Sequence, residues 1–152
     1  MNLSLDCQIA TDNRDIPTLT DIELWVSVAI GQRMDNAQIC VRIVDEDEIA
    51  GLNFNYRAKN TPTNVLSFPA DLPDYIDLPI LGDLVVCAPV VNREAIDQEK
   101  FSQSHWAHMI IHGTLHLLGY DHINDDDAVA MENLEIELLS SLNIANPYEI
   151  SH

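Results

Sequence analysis

Between residues 112 and 122 the chain reads HGTLHLLGYDH, and this segment restricts the fold more than any other. His112 and His116 stand four apart in a stretch expected to be helical, so their imidazoles share one face, one turn apart. Gly119 follows as a natural helix terminator, because glycine accepts the left-handed conformation that ends many helices. Beyond it the chain can reverse and bring His122 to the same point. Three neutral imidazoles with a fourth position open suit a catalytic zinc. A structural site more often fills all four positions with protein ligands, cysteine common among them, and no cysteine lies nearby in the sequence. The expectation is one zinc ion on His112, His116 and His122 at the end of a central helix, though imidazoles also accept nickel, copper or iron.

The spacing H-x3-H-x2-G-x2-H also matches that of the metzincin proteases, with one difference. Their glutamate base is replaced here by Gly113, so ordinary peptide hydrolysis is not expected. His105 and His108 fall on the same helical face as His112 and His116. His108 precedes His116 by eight residues, about 12 Å along a helix axis, too far to share an ion with the pair nearest Gly119. It is read as a packing residue or an orienting partner, with substrate contact as the other role. His105 is read as a first-turn surface residue, and His152, at the terminus, as disordered. Asp121 is a candidate to orient a ligand imidazole or to act as general base, and could equally stabilise its own turn. The run Asp125–Asp127 reads as a complement to a helix dipole on a solvated surface.

The rest of the chain alternates two periods. Leu3, Leu5, Cys7 and Ile9 alternate with polar residues, as do Ile39, Val41 and Ile43 within 37–44, and both stretches read as strands. Thr20 and Glu23 have capping-box spacing ahead of Ile22, Trp25, Val26 and Ala29 on one helical face. Asp45 and Glu48 open a second short helix bearing Ile49 and Leu52, followed by a polar loop at 57–64. VLSF at 65–68 and LGDLVVCA at 81–88 read as strands, with an acidic, proline-punctuated loop between them. Pro89 opens a further helix, the histidine helix runs from about Ser104 to Leu118, and Asn124 caps a last helix with Met131, Leu134 and Leu138 as its buried stripe. The sum is one α/β (α+β) domain over 1–152, with about four strands in a mixed sheet and about five helices. Cys7, Cys40 and Cys87, odd in number and scattered, read as small buried residues and not as a disulfide framework. The N-terminus lacks a basic n-region and an apolar h-region, and no apolar run nears the ~20 residues of a membrane span, so a cytoplasmic location without membrane association is expected.

Three segments together, NYRAKNTPTNVLSFP (55–69), LGDLVV (81–86) and HGTLHLLGYDH (112–122), resemble the bacterial rRNA maturation factor family, the YbeY endoribonucleases. Their order and spacing match, and the length fits nearly end to end. The resemblance implies a metal-dependent hydrolase of phosphodiester bonds, a single α/β domain with zinc on the three motif histidines. It further implies single-strand-specific RNA cleavage, 16S rRNA 3′-end maturation and ribosome quality control, with the small ribosomal subunit or its proteins as partners. The motif histidines fall on His112, His116 and His122, and the family's important arginine on Arg57. Many members carry aspartate before the VLSF strand; Asn64 stands there in this chain, so a metal or acid role is not expected of it.

Arg57 and His116 are then the residues expected to carry catalysis, Arg57 holding phosphate with its planar fork of donors. Lys59 and His108 are further substrate-contact candidates. Either water or a ribose 2′-hydroxyl could be the nucleophile, the second restricting cleavage to RNA. The net charge of −18 sits awkwardly with this, since only seven lysines and arginines are present and an acidic surface repels nucleic acid at long range. It keeps open a different class, a ribosome-assembly factor whose zinc shapes a surface for basic ribosomal proteins. A metal hydrolase for a small phosphoester or a peptide is a third reading.

Overall fold

The alternating N-terminal residues form β1 (Asn2–Ala10) in the computed structural model, which describes residues 2–73, 75–76, 78–121 and 124–149. α1 (Leu19–Ile30), β2 (Asn36–Val44), α2 (Glu46–Arg57), β3 (Val65–Pro69), β4 (Ile80–Cys87), α3 (Ala88–Asp97), α4 (Ser102–Leu117) and α5 (Asp125–Ser141) follow among the described residues. The strands lie in the order β1-β2-β4-β3. β1, β2 and β4 run parallel, and β3 pairs antiparallel with β4, Ser67 opposite Leu84. The sheet is therefore mixed, and among the described residues the expected single α/β domain of four strands and five helices is observed.

β4 explains the layering. Leu84 and Val86 point into the larger core with Ile22, Trp106, Ile110 and Leu115, while Val85 and Cys87 pack on the other face with Val44, Ile49 and Leu66. Both faces of β4 are covered at its C-terminal end, where residues 84–87 form a continuous apolar run, whereas Asp83 and the alternate residues of β1 are exposed. α4 lies at the centre of the larger layer and packs against α1, α3, α5, β3 and β4.

Several local expectations shift. The first helix begins at Leu19 with Thr18 as its cap, its hydroxyl accepting from Asp21 N at 3.2 Å, instead of the Thr20–Glu23 box. Both threonines have an acid three residues on, so the sequence offers two overlapping caps. The second helix is a full 12 residues and ends at Ala58 with φ of 56°. Asn124 caps α5 by accepting from Asp127 N, as expected. The fully buried face of α5, however, carries Met131, Glu135 and Leu139, with Leu134 and Leu138 only half-buried. Cys87 is buried, but Cys7 and Cys40 are half-buried. No described helix is long and apolar enough to cross a membrane.

Candidate metal centre

The histidine face of α4 becomes more open towards its C-terminal end. His105 and His108 are 3% and 7% exposed, whereas His112 and His116 are half-buried. The helix stops with Gly119 at φ 105°, Tyr120 N bonding to Leu115 O and Gly119 N to His116 O, the paired bonds of a glycine-terminated helix end. Asp121 lies exposed just beyond. His122 and His152 lie outside the described residues, so the expected third ligand is not among the side chains placed here.

His112 and His116 are brought together as their spacing requires. Their Nε2 atoms are 3.2 Å apart. Two nitrogens bound to one tetrahedral zinc at about 2.0–2.1 Å lie roughly 3.3–3.4 Å apart, so the pair is already spaced for a shared ion. Two facing lone pairs at this distance repel unless a proton or a cation lies between them.

The other nitrogen of His112 has a different neighbour. Its Nδ1 is in hydrogen-bond contact with Oε1 of Glu135, a fully buried residue of α5. Glu135 Oε2 accepts from the Tyr148 hydroxyl and lies 3.5 Å from His108 Nε2. Burial alone would raise the Glu135 pKa, but hydrogen bonds from His108, His112 and Tyr148 and the His112 charge outweigh it and bring it to about 2. Burial, and then the adjacent carboxylate, push the Tyr148 hydroxyl up, so it stays a donor. His108, His112 and Glu135 each place a ligand atom within 4.8 Å of the others, and this buried group could itself hold a metal ion. His112 thus belongs to two candidate centres, one through each ring nitrogen.

Gly113 shows why the protease glutamate has no counterpart here. A Cβ on it would lie 2.8 Å from Leu84 Cδ2 and 3.1 Å from Val65 Cγ2, so this position faces the sheet. Ser67 of β3 donates to the Gly113 carbonyl at 3.0 Å and fixes the contact. His112 and His116 lie about 100° and 60° around the helix from Gly113, so the histidine face is turned away from the sheet without lying opposite it.

His105 is not the surface residue expected. Its Nε2 is 2.9 Å from Glu94 Oε1 on α3, and burial holds its pKa below the usual histidine range, with the Glu94 hydrogen bond opposing part of that effect. The Asn64 amide donates to both oxygens of the same Glu94, at 3.2 and 3.3 Å. Asn64 is therefore a neutral donor beside a carboxylate, consistent with no acid role.

Arg57 and Lys59 lie exposed at the end of α2 and in the turn after it. Among the described residues, neither side chain is hydrogen-bonded or ion-paired to the α4 histidines. Asn53 braces their loop, donating to Thr61 O at 2.9 Å. Asp125, Asp126 and Asp127 occupy the exposed first turn of α5, as a dipole complement should.

Glu135, Tyr148 and Glu94 are the polar partners that spacing did not reveal. Glu135 lies 19 residues beyond His116 in an acid-rich stretch. The available signal was its register: Met131, Glu135 and Leu139 recur every four residues, so an acid occupies a core position.

Two comparisons bear on the whole chain. The solution structure of TM1509 from Thermotoga maritima is similar in fold, with a TM-score of 0.58 and 24% identity over 90% of this chain and 91% of that one. The family described as endoribonuclease YbeY matches residues 8–143, from the end of β1 past the end of α5 and across every residue of the histidine segment. That span is far more than half of the chain, and the chain belongs to the YbeY endoribonuclease family.

Proposed function

We propose that this chain is a zinc-dependent endoribonuclease for single-stranded RNA, acting in the cytoplasm in 16S rRNA 3′-end maturation and ribosome quality control. The observation that carries the reading is the His112–His116 pair, with Nε2 atoms 3.2 Å apart at the open end of α4, in a chain of an endoribonuclease family. His112, His116 and His122 are the proposed ligands. A bound zinc would supply positive charge for the phosphoryl oxygen and lower the pKa of water at the site.

The chain's own residues then have distinct tasks. Arg57 binds a phosphate oxygen pair through its guanidinium, and Lys59 adds a point charge nearby in sequence. For Arg57 to reach the scissile phosphate, the substrate must bridge the end of α2 and the end of α4. Asp121 either accepts the proton of the attacking hydroxyl or orients a ligand imidazole. With so few cations, stacking and single-strand shape must supply much of the RNA affinity.

The test is RNA cleavage by trace-metal-controlled protein, comparing wild type, Arg57→Ala and His116→Ala purified alike. Both variants should lose activity, and full cleavage by metal-free His116→Ala would defeat the mechanism. End-group analysis of the products separates the routes, since a 2′,3′-cyclic phosphate excludes water as the first nucleophile. The net charge of −18 favours a second reading, an assembly factor that binds basic ribosomal proteins through a zinc-shaped surface. Rescue of a deletion strain by folded metal-ligand variants would establish that reading instead.

A further inference from the structure

His112 offers two ring nitrogens, and they cannot serve the same purpose. A neutral imidazole carries one N–H and one lone pair. Whichever nitrogen donates to a carboxylate leaves the other as the metal ligand, which is why ligating histidines so often have an acceptor on their far side. Glu135 provides such an acceptor at Nδ1, while Nε2 faces His116 Nε2 at 3.2 Å.

We infer that Glu135 is a positioning residue, which fixes the tautomer and ring orientation of His112 for a metal at Nε2, and not a ligand of a metal at the buried His108–His112–Glu135 group. This inference rests on the metal reading of His112 and His116.

Three observations carry it. First, Oε1 of Glu135 is hydrogen-bonded to His112 Nδ1, so the space an inner ion would need is taken up by that bond. Second, Oε2 is already engaged by the Tyr148 hydroxyl, with His108 Nε2 at 3.5 Å. A carboxylate with both oxygens committed to donors behaves as a charged acceptor. Third, Glu135 is fully buried, whereas His112 and His116 are half-buried. An exchangeable ion is reached more readily at the open C-terminal end of α4 than between α4 and α5.

The arrangement also assigns Tyr148. Its hydroxyl ties the second carboxylate oxygen and keeps the plane of Glu135 aimed at His112. His108 serves the same carboxylate from one helical turn before His112, which is how a histidine on the same face contributes without sharing the ion.

The experiment uses the full chain, made metal-free and titrated with zinc against a competing chelator, and separately with cobalt(II) followed by its visible absorption. The variants are Glu135→Gln, Tyr148→Phe and His116→Ala, each with a thermal melt of the metal-free form. Glu135→Gln should bind zinc about 10–100-fold more weakly while keeping a tetrahedral cobalt spectrum, because the glutamine oxygen still accepts from Nδ1 without the charge. Tyr148→Phe should weaken binding by a smaller factor, and it carries the test if the glutamine variant does not fold. His116→Ala should lose most of the affinity.

A Glu135→Gln or Tyr148→Phe protein that melts lower but binds zinc as the wild type does would make these residues merely structural and overturn the inference. Loss of the tetrahedral cobalt spectrum in Glu135→Gln, with His116→Ala unaffected, would place the ion at the buried group and overturn it too. Unchanged affinity in both His116→Ala and Glu135→Gln would defeat the proposed ligand set itself, an outcome separate from the others.

Discussion

Replacing Gly113 with alanine would place a Cβ 2.8 Å from Leu84 Cδ2, 3.1 Å from Val65 Cγ2 and 3.3 Å from Ser67 Oγ. Leu84 is fully buried, so its methyl has little room to retreat. Overpacking of this kind costs about 1–3 kcal/mol. Alanine returns about 1 kcal/mol of helix propensity over glycine. The expected net loss is about 1 kcal/mol, a fall in Tm of roughly 2–4 °C for a chain this long. Gly113→Glu, which restores the protease's residue, adds an unpaired carboxylate between α4 and the sheet and should cost several kcal/mol more. Urea unfolding of the metal-free proteins measures both. The packing argument is refuted by an alanine variant about 1 kcal/mol more stable than wild type, the result helix propensity alone would give. A glutamate variant with the wild-type melting curve would show that this side of the helix does not face the sheet.

Other outcomes follow from the same geometry. Asn64→Asp sets a carboxylate against both oxygens of Glu94, 3.2 and 3.3 Å from the present amide nitrogen. It should cost about 1–3 kcal/mol at neutral pH, and the gap from wild type should narrow in acid as the pair takes up a proton, measurable by melts across pH. His105 has a folded-state pKa below its unfolded value of about 6.5, so its contribution to stability is complete above that pH and is lost as the pH falls below it. His105→Gln, which cannot take a proton, should therefore lose less stability than wild type between pH 7.5 and 5.5. Asn124→Ala removes the acceptor for Asp127 N and should cost about 1 kcal/mol in denaturant unfolding. Zinc at a hundredfold excess over its dissociation constant should stabilise the wild type by about 2.7 kcal/mol in calorimetry, and His116→Ala should forfeit most of that.

The elements with strong periodicity were legible because one physical rule governs each. Alternation marked β1 and β2, and Gly119 marked the end of α4 because its φ of 105° suits no other residue well. The pairing of His112 with His116 follows from helix geometry alone. What spacing could not reveal depends on contacts between elements distant in sequence. Glu135 and Tyr148 join His112 and His108 from α5 and the chain after it, and Glu94 joins Asn64 and His105 from α3. An acid reads as surface until the packing partner of its helix face is known. His105 reads as surface for the same reason: Ser102 and Gln103 beside it are exposed, and only the packing of α3, with Glu94, buries it.

β3 has a consequence for kinetics. It is five residues long and, among the described residues, pairs with no strand but β4. Short edge strands open far more often than the sheets they border. Each opening takes Ser67 off the Gly113 carbonyl and Val65 away from the glycine, leaving this side of α4 against β4 alone. An ion held by His112 and His116 would then have a residence time limited by the fraying of β3 as well as by its nitrogen bonds. Hydrogen exchange at Val65–Phe68 and the rate of metal release should rise and fall together.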